Sequence, residues 1–364
     1  MITTAIFPGK YIQGFGAAGQ LASEMAILGS NALVICSPSI YDKVLPGLKE
    51  GILSKIKADF EKFGRECCDD EITRVSAIVR ERKSDLIVGF GGGKTLDLAK
   101  AVADRFGIPS IMVPTIASTD APCSALSVIY TPEGVFSRVE LYTHNPNVVL
   151  VDTEIIINAP VRFLVSGMGD ALSTWFEAES CRASFATNTA GGKGTMTAYA
   201  LAKLCFDTLM EYGETAKLAA ERKAVIPAFE RIVEANTLLS GLGFESGGLA
   251  AAHSIHNGLT KIRETAGCYH GEKVAFGTLA SLHMNGHSAE MIDRVYSFCE
   301  SVGLPTTFAD LGIIKITDEQ LMEVAQAACA DTESMSNEPM RIEPRMVMDA
   351  LKAADQTGKA RKKN

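Results

Sequence analysis

The sequence lacks the cysteine patterns that cross-link small secreted domains or hold cysteine-rich zinc sites. Its nine cysteines are scattered over 364 residues, their number is odd, and no Cys-x-x-Cys occurs. The pattern therefore disfavours both a disulfide framework and a cysteine-rich zinc site, and we expect reduced thiols in a cytoplasmic protein.

Positive charge, long apolar runs and a targeting segment are also missing. The formal net charge is -8, which argues against a nucleic-acid partner. The N-terminus shows no basic segment followed by an apolar one, so no signal peptide is expected. Because no apolar run approaches the ~18 residues of a membrane span, we expect no membrane partner either.

Three common motifs are not met by this sequence. The phosphate-binding P-loop needs glycine where Val88 stands, and the Gly-x-Gly-x-x-Gly fingerprint needs it at Lys94. The His-Glu-x-x-His signature of metalloproteases needs glutamate where Ser254 stands.

The pattern of apolar runs predicts two domains. In residues 1–160, short continuous apolar runs alternate with helical patterns, which indicates a doubly wound, Rossmann-like parallel sheet covered on both faces. The predicted strands are Ala32–Cys36, Asp85–Phe90, Ile108–Val113 and Val148–Val151, and the predicted helices are Glu71–Lys83 and Thr95–Phe106.

Residues 161–364 read as an all-helical domain, because helix-forming patterns follow one another with breaks at glycine or proline. The predicted helices are Ala198–Tyr212, Thr215–Arg222, Pro227–Ser240, Ala275–His283, Ala289–Val302 and Asp318–Ala330.

Two loops at the carboxyl ends of predicted strands could bind a ligand. The first, Gly89 to Thr95, would let backbone N–H groups and a helix N-terminus approach phosphate oxygens. The second, Pro114 to Ser124, carries hydroxyl groups and Asp120. The alternatives are a glycine-rich turn without ligand and a capped loop with Asp120 or Ser124 at a helix N-cap.

A cluster of histidines suggests a metal site. His253 and His256 are three residues apart and share one face of a helix, and His270 follows after a break. Spacing alone does not say which of the first two would bind a metal. Asp170, in Gly-Met-Gly-Asp at the predicted start of a helix, could complete a three-ligand site or act as an N-cap.

The chain resembles the iron-containing alcohol dehydrogenase superfamily over nearly its full length, and in particular its glycerol-oxidising branch. The segments that carry the resemblance are Pro8–Gly14, Gly91–Asp97, Pro114–Tyr130, Gly169–Ala178, Glu234–Thr237, Gly243–His253 and His270–Gly277.

The resemblance implies a dehydroquinate synthase-like architecture and oxidation of glycerol, or a related vicinal diol, with NAD and a divalent metal. It implies metal ligands and substrate contacts at Asp170, His253 and His270. It further implies that Asp120 lies near the substrate and His256 near the nicotinamide. Asp120, or a water chain that includes His256, is therefore the candidate proton acceptor. The implied NAD contacts are Gly91, Gly92, Gly93, Lys94, Thr95, Thr115, Ile116, Ala117, Ser118, Ser124, Leu126 and Tyr130.

Three departures from the family pattern refine these expectations. Ser37 stands where relatives carry an aspartate for the adenosine ribose, so preference for NAD over NADP is expected to be weaker. Ser336 stands where relatives carry a histidine. Thr174 replaces the histidine of the iron-binding branch, four residues after Asp170, which favours zinc over iron.

Rival functions remain open at this point. Another diol or polyol dehydrogenase is the nearest, although a phosphorylated substrate would find only Lys273 near the metal motifs. An ATP-binding phosphotransferase built on Gly91 to Thr95 is disfavoured by Val88, and a non-catalytic nucleotide-binding protein by the intact ligand set. Family resemblance also predicts a homo-oligomer, an octamer in many members.

Overall fold

The structure, a computed structural model, describes residues 2–363. They form two compact units. The sheet unit comprises Phe7–Ala117 and Ala121–Ala159, and the helical unit comprises residues 2–6, 118–120 and 160–363. Unlike the single boundary predicted at residue 160, this division assigns 2–6 and 118–120 to the helical unit. Ser118 therefore belongs to the helical unit, whereas the other predicted NAD contacts belong to the sheet unit.

The sheet unit contains a six-stranded parallel sheet in the order β1-β8-β5-β4-β2-β3. Its strands are β1 Tyr11–Gly14, β2 Asn31–Cys36, β3 Lys57–Lys62, β4 Leu86–Gly91, β5 Ser110–Pro114 and β8 Val148–Asp152. A separate antiparallel hairpin pairs β6 Leu126–Tyr130 with β7 Phe136–Leu141. The helices are α1 Leu21–Leu28, α2 Pro38–Lys43, α3 Leu45–Leu53, α4 Asp69–Arg82, α5 Gly93–Phe106 and α6 Thr153–Ile157.

The order of the strands reverses between β2 and β4. From β2 the chain first adds β3 on one side, then returns to add β4, β5 and β8 on the other. The carboxyl ends of β2 and β4 are therefore a topological switch point, where open α/β sheets bind their ligands. Ser37 follows β2 directly, and β4 ends at Gly91.

The helical unit contains no strand among its described residues, apart from a single bridge between Thr3 and Lys193. Its helices are α7 Val161–Ser184, α8 Met196–Glu221, α9 Pro227–Glu234, α10 Ser240–Gly247, α11 Ala251–Leu259, α12 His270–Met284, α13 Ala289–Val302, α14 Asp318–Ala328 and α15 Pro344–Arg361. A π-helical turn, Ala235–Leu239, joins α9 to α10. The predicted fold class, a parallel Rossmann-like sheet followed by helices, is confirmed.

Two predicted features of the helical region are wrong. The break predicted at Gly213 does not exist, because α8 runs through it without interruption. There the glycine makes room for a neighbour: a Cβ at Gly213 would lie 2.6 Å from Cε2 of Phe298. Asp170 does not open a helix either, since α7 begins at Val161, so the N-cap interpretation of Asp170 is excluded. Within residues 2–363, no helix is long and apolar enough to cross a membrane.

Candidate metal centre and cofactor loop

A close crossing of α7 and α12 brings Asp170 beside His270. A Cβ on Gly169 would overlap the carbonyl oxygen of Gly271, and a Cβ on Gly271 would overlap that of Ser166. Only glycine allows the two backbones to approach so closely. Because Asp170 follows Gly169 and His270 precedes Gly271, the crossing leaves their side chains adjacent, with Asp170 Oδ1 3.1 Å from His270 Nε2.

His253 is supplied by α11 and oriented by Glu177, which lies two turns after Asp170 on α7. Glu177 Oε1 accepts hydrogen bonds from the backbone N–H groups of Ala250 (2.9 Å) and His253 (3.0 Å). These groups lie at the N-terminus of α11, where the N-cap residue, Ala250, has no side chain that could accept them. Its Oε2 lies 2.6 Å from His253 Nδ1. A carboxylate can only accept, so Nδ1 donates to Glu177, and Nε2 faces Asp170, 3.5 Å from Oδ1.

The ligand atoms of Asp170, His253 and His270 all lie within 4.8 Å of one another. Asp170 is almost fully buried, and its Oδ1 accepts no hydrogen bond. Burial disfavours the carboxylate, but the positive charges on His270 and His253 outweigh burial and hold the pKa of Asp170 well below its ordinary value. One carboxylate and two imidazoles, with a buried oxygen lacking a hydrogen bond, fit a divalent cation with an open position.

His256 packs against this cluster without reaching Asp170. Its Nε2 lies 3.0 Å from His270 Nδ1. Burial, followed by the charge of His270, holds the pKa of His256 well below its ordinary value, so the ring is neutral. The structure therefore distinguishes the two histidines that spacing could not. His253 belongs to the cluster of candidate ligands, whereas His256 contacts His270, another member of that cluster.

Asp120 lies beside Asp170. Its backbone N–H donates to Asp170 Oδ2 (3.3 Å), and its own Oδ2 accepts from the hydroxyl of Ser240 (2.8 Å), the first residue after the π-helical turn. Desolvation and the neighbouring Asp170 carboxylate raise the pKa of Asp120 well above its ordinary value. No helix follows this segment before β6, so the alternative of an N-cap at Asp120 or Ser124 is excluded.

The glycine-rich loop in the sheet unit connects β4 to α5. Gly92 occupies the N-cap position and α5 begins at Gly93, so the N-terminus of α5 lies at the carboxyl edge of the sheet, where its dipole favours an anion. A Cβ on Gly91 would lie 2.6 Å from Thr95 Oγ1 and 3.0 Å from Ser37 Cβ. Ser37 therefore lies directly against the loop.

Thr115, another predicted NAD contact, lies against this loop. The Thr115 N–H donates to the carbonyl of Gly91 (3.0 Å). Lys94 pairs with Glu66 at 2.5 Å, and its amine lies 4.6 Å from the ring centroid of Tyr130.

Ile116 packs near Gly92, Ala117 is buried, and Leu126 is partly exposed at the start of β6. Ser124 is fully buried and donates to the carbonyl of Ala121 (3.2 Å), while Ser118, in the helical unit, accepts through its carbonyl from Ser166 (3.3 Å). These residues stay predictions as NAD contacts.

The sequence pattern of iron-containing alcohol dehydrogenases matches residues 8–153. The chain is 57% identical over 362 residues to a glycerol dehydrogenase of Thermotoga maritima, covering 100% of this chain and 99% of that protein. It is 42% identical over 359 residues to a glycolaldehyde reductase of Halobacterium salinarum, covering 98% of each. A crystal structure of a probable glycerol dehydrogenase from Sinorhizobium meliloti matches with a TM-score of 0.93 at 45% identity, covering 99% of this chain and 100% of that one. The chain belongs to the iron-containing alcohol dehydrogenase family.

As an iron-containing alcohol dehydrogenase, the chain fills two expected histidine positions with small hydroxyl residues. Thr174 is buried, and its hydroxyl lies 2.9 Å from that of Ser240, which holds Asp120. Ser336 is exposed, and its hydroxyl donates to the carbonyl of Glu333. Neither residue is a member of the ligand cluster.

Sequence reasoning did not identify Glu177 as a functional residue of this family member. The available signal was its spacing, because residues seven apart on a helix share a face, and Glu177 is seven after Asp170. Sequence reasoning also missed Glu338, which precedes α15 and accepts the N–H of Ala251 (3.0 Å). The two residues are too far apart in the sequence for a local pattern to reveal this contact.

Proposed function

We propose that this enzyme oxidises glycerol to dihydroxyacetone with NAD, using zinc held by Asp170, His253 and His270. The single observation that supports the proposal most directly is this buried cluster of one carboxylate and two imidazoles, in which Asp170 Oδ1 accepts no hydrogen bond. Identity of 57% to a glycerol dehydrogenase over the whole chain supports the choice of substrate.

Zinc is proposed rather than iron because the ligand set offers only two imidazoles, and Thr174 replaces the histidine that the resemblance gives to the iron-binding branch. When bound, zinc would act as a Lewis acid on the secondary hydroxyl of glycerol, and NAD would accept the hydride from C2 at its nicotinamide C4. The protein's own part is to hold the substrate oxygens and to remove the proton.

Asp120 is our candidate for that proton acceptor and for orienting the diol. Its carboxylate is fixed by Ser240 next to Asp170, and it is partly exposed, so a substrate hydroxyl can reach it. His256 is the alternative. Its Nε2 is already 3.0 Å from His270 Nδ1, which makes it less available.

The NAD site is proposed at the switch point of the sheet, with the pyrophosphate at Gly91 to Thr95 and the adenosine ribose beside Ser37. Cytoplasmic location, homo-oligomeric assembly and the absence of nucleic-acid and membrane partners stay predictions. Size-exclusion chromatography with light scattering tests the assembly directly.

The deciding experiment follows NADH formation with glycerol before chelation, after chelation and after zinc is returned. Purified protein should contain close to one zinc per chain, and chelation should abolish turnover. His253→Ala should lose zinc and activity but remain folded, whereas His144→Ala, at an exposed position in the sheet unit, should keep both. Full activity in metal-free protein would overturn the proposal.

Reduction of a 2-hydroxyaldehyde is the second candidate, favoured by the 42% identity to a glycolaldehyde reductase. Glycolaldehyde and the diol that it yields also present two adjacent oxygens to the proposed zinc. A ratio of kcat/KM that favours glycolaldehyde with NADH over glycerol with NAD would support this alternative.

A further inference from the structure

A row of four polar side chains leads from the surface of the helical unit to a ligand of the proposed metal. Asn257 Nδ2 donates to Glu333 Oε2 (2.8 Å), and Asn257 Oδ1 lies 2.9 Å from His256 Nδ1. His256 Nε2 in turn lies 3.0 Å from His270 Nδ1. The far nitrogen of His270, Nε2, faces Asp170.

The carboxylate at the outer end fixes the direction of every link. Glu333 only accepts, so Asn257 must point its NH2 group outward and its oxygen towards His256. His256 Nδ1 therefore carries a proton, and its Nε2 is an acceptor. His270 must then donate from Nδ1, so the lone pair of its neutral ring lies on Nε2, the tautomer that a metal requires.

We propose that Glu333 is a positioning residue that sets the tautomer of His270 for zinc binding, acting through Asn257 and His256. It does for His270 at a distance what Glu177 does for His253 by direct contact. The proposal rests on the proposed zinc site. Without Glu333, the amide of Asn257 can turn over, which would favour a proton on His270 Nε2, where the metal would bind.

A purely mechanical role for the same segment is the rival explanation. Ser334, the next residue, donates to the carbonyl of Ala250 (2.7 Å), and its hydroxyl lies 3.0 Å from that of Ser254. These contacts hold the segment against α11 but do not include the row of side chains. Ser334→Ala is therefore a matched control that loosens the same attachment without altering the tautomers.

The experiment measures zinc affinity by competition with a chromogenic chelator, using full-length protein stripped of metal. Glu333→Ala should weaken zinc binding roughly tenfold, the lower end of the usual range for such partners, because Asn257 is exposed and water can partly replace Glu333. Glu333→Gln should restore affinity close to wild type, since its amide oxygen can still accept from Asn257. Ser334→Ala should also bind zinc like the wild type.

Several results would overturn the inference, and one would instead overturn the function. Unchanged zinc affinity in Glu333→Ala would leave no role for the tautomer. The same conclusion would follow if Glu333→Gln and Ser334→Ala lost as much zinc affinity as Glu333→Ala. If the wild type itself binds no zinc, the result refutes the proposed metal site and not the role of this row of side chains. Should Glu333→Ala not fold, Asn257 decides: Asn257→Asp can only accept from His256 and should retain zinc, Asn257→Leu should lose affinity, and equal affinity in both would refute the proposal.

Discussion

Replacing Gly91 with alanine should impair NAD binding, destabilise the sheet unit, or do both. The new Cβ would lie 2.6 Å from Thr95 Oγ1, 2.7 Å from Thr95 Cβ and 3.0 Å from Ser37 Cβ. The Thr95 Cβ cannot rotate away because it is attached directly to the backbone of α5. The loop must therefore move, and overpacking of this kind typically costs about 1–3 kcal/mol.

That strain must appear in one of two measurements. If the loop stays in place, the free energy of unfolding falls, at roughly 2–4 °C in Tm per kcal/mol for a domain of this size. If the loop relaxes, the cost returns when NAD draws it back, and 1–3 kcal/mol corresponds to an increase in Kd of about fivefold to 150-fold.

The assays are thermal unfolding and titration of NADH fluorescence, with Gly51→Ala as the control. Gly51 lies in α3, and a Cβ there would meet nothing within 4 Å. Alanine at that position should therefore stabilise the helix by roughly 0.5–1 kcal/mol and leave the Kd for NADH unchanged. Wild-type Tm together with wild-type Kd in Gly91→Ala would refute the reasoning.

Three further predictions concern the two proposed ligand sites. Ser37→Asp should raise the ratio of kcat/KM for NAD over NADP, because a carboxylate repels the 2′-phosphate; an unchanged ratio would mean that Ser37 is not at the ribose. Glycerol, 1,2-propanediol and 2,3-butanediol should be oxidised far better than 1-propanol or 2-propanol, and Asp120→Asn should change kcat/KM among the diols more than it changes NAD binding; equal rates with simple alcohols would remove the basis of the diol assignment. Glu177→Gln keeps an oxygen for the N–H groups of Ala250 and His253 but turns a donor towards His253 Nδ1, so zinc affinity should fall about 10–100-fold in folded protein, and wild-type affinity would contradict the assigned tautomer.

Periodicity predicted the strands that are buried on both faces and missed those at the edges. β2, β4, β5 and β8 are continuous apolar runs because helices cover both sides of the sheet. β3, at one edge, reads Lys-Ala-Asp-Phe-Glu-Lys and is exposed at both ends, so its sequence resembles a polar loop. Its place in the sheet comes from pairing with β2, which a local pattern cannot reveal.

The candidate site was predictable in its residue types and not in its geometry. Three histidines within 18 residues indicated a metal site, but each imidazole also has a partner on another helix, which spacing along the chain cannot reveal. The glycines before Asp170 were misread as the start of a helix, because glycine usually disfavours a helix interior. Here Gly169 serves the crossing with α12, a tertiary requirement that overrides local propensity.

The same crossing bears on the cost of binding a metal at the proposed site. Because Gly169 and Gly271 bring two main chains into van der Waals contact, the spacing of Asp170 and His270 is set by backbone rather than by adaptable side chains. The ligand positions are therefore preorganised before any ion arrives, and little of the binding free energy is needed to rearrange the helices. The same geometry should discriminate among ions by size, since a cation that needs a wider site would have to separate two packed helices.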